Sequence, residues 1–373
     1  MTQYVKRGKG WQARIYWRDP FGKRHTKSQA GFRTKKLAQV WAVETKSRLN
    51  QGIAVDKKIS FVDYYNHWVD TYKRPKIAQS TLNRYRINGR VLKRCFGDIS
   101  IKDVSRSAYQ KFLNDYGKDH SPRTVRKLNT CIRSCVKSAI LDDFLIKDFT
   151  QDVSIIGNEN KNLDVDYLNL KEIRALLKET KSYLNWRYTS RFMIIAAIYT
   201  GMRKEELQAL TWSDIDFTNQ TININKAWRE TKDEDETVEH FNNHRFKPTK
   251  SENSTRIIKV NPELLDCLDI LRNHAKSNMV FMNEFGTLPT SNALNRKLKS
   301  LLATLNIHRK NFHFHSLRHS HVALLLANGI DIYVISRRLG HADVSITANT
   351  YAYLIDEYKD KTDNQIVNAL SNL

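Results

Sequence analysis

The period of the hydrophobic pattern changes along this chain, and each change limits what the segment can become. In WQARIYWRD (Trp11–Asp19), Trp11, Ala13, Ile15 and Trp17 alternate with Gln12, Arg14, Tyr16 and Arg18. A period of two places the apolar set on one face of a half-buried strand. DPFG (Asp19–Gly22) supplies a turn, and KRHTKS (Lys23–Ser28) reads as a returning strand. Thr34 is placed to cap a helix that runs through Leu37, Val40, Trp41 and Leu49 to Gly52. The expected product is a small sheet backed by one helix, exposing Arg14, Tyr16, Arg18, His25 and Lys27 together as a nucleic-acid-reading surface.

AVDKKIS (Ala54–Ser60) reads as a linker, and from Phe61 to about Phe149 the period becomes helical. FVDYYNHWVDTY carries apolar residues at helical spacing. Ser80 can cap a helix through Leu82, Tyr85, Val91 and Leu92 that ends near Gly97. Ser121–Pro122 opens another with Val125, Leu128, Ile132, Cys135 and Ile140. Arg84, Arg86, Arg90, Lys93, Arg94, Arg123, Arg126 and Lys127 interleave with these stripes, which suits a four-helix module laid along a phosphate backbone. A second linker (Ile155–Asp164) leads into a block over 165–373. That block mixes helices (Lys171–Thr180, Ser190–Tyr199, Leu294–Leu305) with short strands (Thr221–Asn225, Ser254–Val260). The acidic run KDEDETVE (Lys232–Glu239) reads as an exposed loop. A length of 373 residues exceeds one ordinary core, so the chain is expected to be multidomain.

Charge narrows the partner. Against 39 Asp+Glu stand 62 Lys+Arg, a net +23 spread through most of the chain rather than held in a tail. Such an excess favours a polyanion, and nucleic acid above others. The longest apolar run, Phe192–Tyr199, is too short to span a bilayer. The N-terminus lacks an apolar core of signal-peptide length, which places the protein in the cytoplasm with no membrane partner. Cys95, Cys131, Cys135 and Cys267 form no metal-ligand pattern, and Cys131 and Cys135, one helical turn apart, read as reduced core thiols.

Four stretches of the last block carry chemistry. They are YTGMRKEELQALTWSDID (Tyr199–Asp216), FKPTKSENSTRIIKV (Phe246–Val260), HFHSLRHSHVALLLANG (His313–Gly329) and LGHADVSITANTYAYL (Leu339–Leu354). The first holds Arg203 at a helix start, with Glu206 following. The second reads as a β hairpin with Lys250 near its turn. The third holds His315 and Arg318, and the fourth His341 and Tyr351. Two guanidiniums, an ammonium, two imidazoles and a phenol suit phosphoryl transfer on DNA without a metal. The arginines can clamp the non-bridging oxygens of one phosphate. Lysine or histidine can protonate a departing 5′ oxygen while a tyrosine attacks phosphorus.

In order and spacing these stretches resemble those of the tyrosine recombinases, specifically the phage and conjugative-transposon integrases. The resemblance covers essentially the whole chain, and its motifs (TGxR, HxLRH, LGH and a tyrosine ten residues on) are specific. It implies a multidomain fold, mainly α with small β sheets. Residues 1–53 would be an arm-type DNA-binding domain, a three-stranded sheet plus helix. Residues 59–153 would be the helical core-binding bundle, and 165–373 the mixed α/β catalytic domain. Residue by residue, it implies catalytic roles for Arg203, Lys250, His315, Arg318, His341 and the nucleophile Tyr351, with Glu206 in support. It also implies a 3′-phosphotyrosyl intermediate and needs no ATP, metal or other cofactor. The expected partners are double-stranded DNA with core and arm attachment sites, a homo-tetramer assembled on it, and an excisionase or host DNA-bending protein. The setting would be the host cytoplasm, at the bacterial nucleoid.

Two positions stay open at this level. Lys247 lies three residues before Lys250, although Lys250 suits the turn better. Tyr353 lies two residues after Tyr351. On a regular helix two such side chains point about 200° apart, so only one can face a given phosphate, and the spacing from His341 selects Tyr351. The rival functions are a type IB topoisomerase-like strand breaker and a catalytically silent DNA-binding regulator.

Overall fold

The computed structural model describes residues 2–18, 24–50, 59–162, 166–234, 236–249, 252–357 and 370–371. The chain forms two units, Met1–Asn162 and Leu163–Leu373.

The first unit opens with an antiparallel sheet in the order β1 (Thr2–Arg7), β2 (Gly10–Arg18), β3 (Arg24–Phe32). The alternation along β2 holds: Ala13 and Ile15 are fully buried, packed against Ala38 and Ala42 of α1 (Lys35–Asn50). One expectation changes. Residues directly opposite one another in an antiparallel pair share a face, and the register sets Lys27 against Ile15 and His25 against Trp17. His25 and Lys27 therefore lie on the apolar face, where His25 stacks on Trp17 with ring centroids 5.4 Å apart. Thr26 and Ser28 are the β3 residues that join Arg14 and Tyr16 on the polar face, and the Arg18 side chain lies outside the described ones. A one-residue slip in assumed register is enough to move a whole strand's side chains. The helix expected after Thr34 forms as α1, which packs on the sheet through Ala38 and Ala42 and leaves Leu37 and Val40 about half exposed. The DPFG turn lies outside the described residues.

The helical block forms the expected four helices: α2 (Phe61–Trp68), α3 (Gln79–Phe96), α4 (Arg106–Asp119) and α5 (Pro122–Leu141). Ser60, Ser105 and Ser121 cap α2, α4 and α5 through their side-chain oxygens. Helix α3 starts one residue before Ser80, with Ala78 at the cap position. Phe61, Tyr65, Trp68, Leu92, Leu113 and Ile132 fill the core. The buried polar tips are satisfied, Tyr109 donating to Asn129 Oδ1 at 2.8 Å and Trp68 Nε1 to Ser138 Oγ at 3.0 Å. Cys135 is buried among them as a free thiol. Arg84, Arg86, Arg90 and Arg126 are all exposed on the bundle surface.

The second unit is built around α7 (Ser190–Thr200), which follows α6 (Leu170–Ser182). Residues Phe192–Ile198 of α7 are at most 2% exposed. The apolar run noted in the sequence is thus the central core helix, and no helix among the described residues is long and apolar enough to cross a membrane. After α8 (Lys204–Gln208) come β4 (Ile215–Asp216), β5 (Thr221–Ile224), β6 (Lys226–Trp228), α9 (Val238–Asn243), β7 (Phe246–Pro248) and β8 (Arg256–Lys259). The stretch Phe246–Val260 is not itself a hairpin. Its two ends, β7 and β8, pair with β6 and β5 respectively, which follow each other with only Asn225 between. The turn of this ladder is the long 229–245 connection. Pro248 lacks an N–H to continue β7, and Lys250 and Ser251 lie outside the described residues. Part of the acidic run is ordered, with Thr237 capping α9 and Arg229 pairing with Asp233 and Glu236. Helices α10 (Pro262–Arg272), α11 (Ser291–Thr304), α12 (Ser316–Ala327), α13 (Ile332–Leu339) and α14 (Val344–Glu357) complete the unit.

Gly117 of α4 shows how closely the bundle is closed: a Cβ there would lie 2.1 Å from the Ile156 carbonyl oxygen. Gly117→Ala is expected to destabilise the helical block by about 1–3 kcal/mol, as overpacking does. Chemical denaturation followed by tryptophan fluorescence checks this, and an unchanged first transition refutes it.

Candidate active site

Helix α7 ends where Gly201 takes a left-handed φ of +65°. A Cβ at that position would meet His321 Cδ2 at 2.7 Å, so the turn admits only glycine. The turn delivers Arg203 to the N-cap of α8. There its backbone N–H and guanidinium both donate to Glu206, at 2.9 and 2.7 Å. Glu206 is 3% exposed and also accepts from Arg256 of β8 at 2.9 Å. Burial pushes Glu206 up, but Arg256 and Arg203 outweigh it and hold the carboxyl below its usual value. Arg256 further donates to the carbonyls of Arg338 and Ser254.

Arg318, on the first turn of α12, is 3% exposed. Its guanidinium donates to the Gly201 carbonyl at 2.6 Å and the Leu339 carbonyl at 2.7 Å, tying together the turns before Arg203 and before His341. It also lies 3.1 Å from His341 Nε2. Since the guanidinium can only donate, His341 Nε2 accepts, and the proton on Nδ1 is directed to Thr347 Oγ1 at 2.7 Å. Burial, then Arg318 and Arg203, lower the His341 pKa to about 4, which keeps the ring neutral. His315 precedes α12 and is lowered to about 4 by burial and then Arg318.

Tyr351 is 1% exposed, and the backbone leaves helical geometry at that residue (φ −118°, ψ 17°). The regular-helix angle between Tyr351 and Tyr353 therefore does not apply, and the Tyr353 side chain lies outside the described residues. The Tyr351 hydroxyl is 2.7 Å from His319 Nδ1. Burial raises the phenol to about 12, against an opposing pull from Arg318.

The structure thus brings together Arg203, Glu206, Arg318, His315, His341 and Tyr351. Lys250 lies outside the described residues, while Lys247 pairs with Glu205 at 2.5 Å. The residues named for DNA contact on the sheet and bundle all belong to the first unit. Four members were missed in the sequence. Arg256 stands in the quoted second stretch. His319 and His321 follow Arg318 directly in HSLRHSH. Arg338 donates to His321 Nε2 at 3.2 Å and to the carbonyls of Lys259 and Tyr199, while His321 Nδ1 donates to the Ile198 carbonyl. Arg203 and Arg256 pair with one carboxylate while Arg318, nearby, is held by carbonyls and His341, an arrangement with an excess of positive charge suited to an anion.

Comparison with known proteins gives the family and the fold. Residues 166–357 match the Phage integrase family, 2–49 the Arm DNA-binding domain, and 60–117 the Phage integrase N-terminal SAM-like domain. The chain is 25% identical to a tyrosine recombinase XerC-like protein of Caldanaerobacter subterraneus subsp. tengcongensis, over 96% of each chain. It is 23% identical to the integrase of Staphylococcus phage L54a, over 88% of this chain and 97% of that one. Among solved structures, the Tn1549 transposon integrase in complex with a circular intermediate DNA shares the fold. Its TM-score is 0.67 at 17% identity, covering 82% of this chain and 99% of that one.

Removing the charge of Glu206 while keeping its shape leaves two guanidiniums facing each other. Glu206→Gln is expected to cost about 3–5 kcal/mol, as for a broken buried ion pair. Because the folded carboxyl is depressed, its contribution is fully present above the unfolded value near 4.5 and is lost as pH falls through the lower folded value. Melting temperature measured against pH should therefore drop below about pH 4.5 more steeply in the native protein than in the variant. Parallel curves would refute the pairing.

Proposed function

Because the chain belongs to the phage integrase family, a premise that makes it a tyrosine site-specific recombinase, we propose that it cuts and rejoins double-stranded DNA through Tyr351 to integrate and excise a mobile element. The observation that carries this reading is the phenol of Tyr351 in the field of Arg318, beside the pair of arginines held on Glu206. Arg203 and Arg318 hold the non-bridging oxygens of the scissile phosphate, and their attraction grows as charge develops on it. Glu206 fixes the direction of Arg203. His341 is a neutral ring oriented by Thr347, and His315, in the field of Arg318, is a second imidazole. Lys250 serves as the acid for the departing 5′ oxygen. The phosphotyrosyl bond retains the energy of the phosphodiester, so the partner strand's 5′ hydroxyl restores a DNA bond without ATP.

The three sequence regions divide the work in this reading. Residues 1–53 bind arm sites through the polar face of the sheet, 59–153 grip the core site through the exposed arginines of the bundle, and 165–373 cleave. Exchange between two duplexes requires four strand cuts with one tyrosine each, which supports a tetramer on DNA. An excisionase or a host bending protein fits the separation of arm from core sites. Action on chromosomal DNA places the protein in the cytoplasm at the nucleoid.

Tyr351→Phe is expected to abolish covalent capture of a nicked core-site duplex while leaving binding intact, whereas Tyr353→Phe retains capture. Denaturing gels score this, and the opposite pattern would reassign the nucleophile. Truncating Arg203 or Arg318 should slow cleavage by roughly 10²–10³-fold with a smaller loss of binding. Equal losses would remove the clamp role.

A chain beginning near Ala54 should still bind and cleave core DNA but integrate poorly. Residues 1–52 alone should bind arm DNA with an affinity that falls steeply as salt rises. Gel shifts with both fragments test this, and efficient recombination by the shortened protein would reduce the sheet to a structural cap.

A further inference from the structure

A tyrosine that attacks phosphorus must lose its proton, and at 1% exposure Tyr351 has little access to bulk water for that purpose. Its hydroxyl is instead hydrogen-bonded to a side chain, His319 Nδ1, at 2.7 Å. The two rings lie 5.5 Å apart between centroids, and on the other side His319 meets the His315 ring edge to face at 5.2 Å. His319 follows Arg318 directly, so the rigid first turn of α12 that fixes the guanidinium also fixes the imidazole.

We propose that His319 is the general base that takes the phenolic proton of Tyr351 during attack and returns it during religation. The proposal rests on Tyr351 being the nucleophile. In cleavage, the Tyr351 Oη–phosphorus bond forms and the bond from phosphorus to the 5′ oxygen breaks. The phenolic proton moves to His319 Nδ1, giving an imidazolium, and the 5′ oxygen takes its proton from the separate acid assigned above. In religation the incoming 5′ hydroxyl attacks and gives its proton back to that same acid, now acting as base; the bond from phosphorus to the 5′ oxygen forms, the Oη–phosphorus bond breaks, and Oη recovers the proton from His319.

Electrostatics support the direction of transfer. Burial, then His315, Arg318, His313 and His341, lower His319 to about 3. Its ring is therefore neutral before DNA arrives, and Nδ1 offers the lone pair that the phenol needs. A bound phosphodiester adds negative charge beside Arg318 and Arg203. That offsets the cations that depress His319 and raises its basicity when the proton moves.

The test uses the full-length protein and a nicked duplex carrying the element's own junction core, with single-turnover covalent capture as the readout. His319→Asn keeps a hydrogen-bonding atom near the Nδ1 position but cannot hold a proton. It is expected to bind DNA normally and to cleave about 10²-fold more slowly, the low end for a lost general base. Its rate should climb with pH between about 6 and 9 as hydroxide replaces the base, while the native rate changes little. The groups facing His319 over that range are Tyr351 from α14, Arg318 and His315 from the start of α12, His313 before it, and His341. Added imidazole should restore part of the rate to His319→Ala.

Native-like capture by His319→Asn across the range overturns the proposal. So does a slow His319→Ala protein that responds to neither pH nor imidazole, because a purely structural role predicts that pattern. Tyr351→Phe separates the two readings. Capture by that variant overturns the nucleophile assignment, whereas its failure beside an unimpaired His319→Asn overturns only the base.

Discussion

A single buried carboxylate organises the second unit. Glu206 receives Arg203 from its own helix start and Arg256 from a strand fifty residues on, and Arg256 in turn reaches the carbonyls of Ser254 and Arg338. Without a negative charge at that point, guanidiniums would be brought together out of water with nothing between them, a cost of several kcal/mol. With it, three chain segments distant in sequence converge on one place. The carboxylate balances only part of the positive charge gathered there. The pocket is therefore electrostatically incomplete until an anion enters, and a bound phosphodiester should stabilise the fold as well as undergo chemistry.

Neutral groups complete the frame. Arg318 spends its hydrogen bonds on the carbonyls of Gly201 and Leu339 and on His341. Its orientation is thus fixed by uncharged acceptors, and its charge stays uncompensated. Gly340, with φ +68°, lets the turn before His341 come so close to the segment preceding β8 that a Cβ would lie 2.9 Å from Ser254 Cα. The residues just before β8 and the Leu-Gly-His turn are therefore held together by the absence of one atom.

The sequence made legible what depends on local pattern. Period two exposed β2, helical spacing and serine caps exposed the bundle, and unusual side chains at fixed spacing exposed Arg203, His315, Arg318, His341 and Tyr351. It hid what depends on a partner elsewhere. His25 and Lys27 change faces because strand register is set across the sheet. Leu37 and Val40 stay half exposed because α1 approaches through alanines. Arg256 is an ordinary strand arginine until Glu206 stands opposite it, and His319 gains meaning only when Tyr351 lies 2.7 Å away. Spacing singled out Tyr351, which the fold buries beside His319, but the side chain does not sit on a regular helix, because the helix breaks at that residue.

In the proposed role of Tyr351, its burial bears on the lifetime of the phosphotyrosyl bond. A phosphotyrosine is an activated ester, and bulk water at roughly 55 M competes for it with a strand end present at effective concentrations of order mM. A tyrosine residue only 1% exposed would shelter such an ester from that competition. The surrounding wall thus acts as a kinetic filter: it favours a hydroxyl delivered on a docked strand over free solvent, and so separates an enzyme that exchanges strands from one that leaves broken ends.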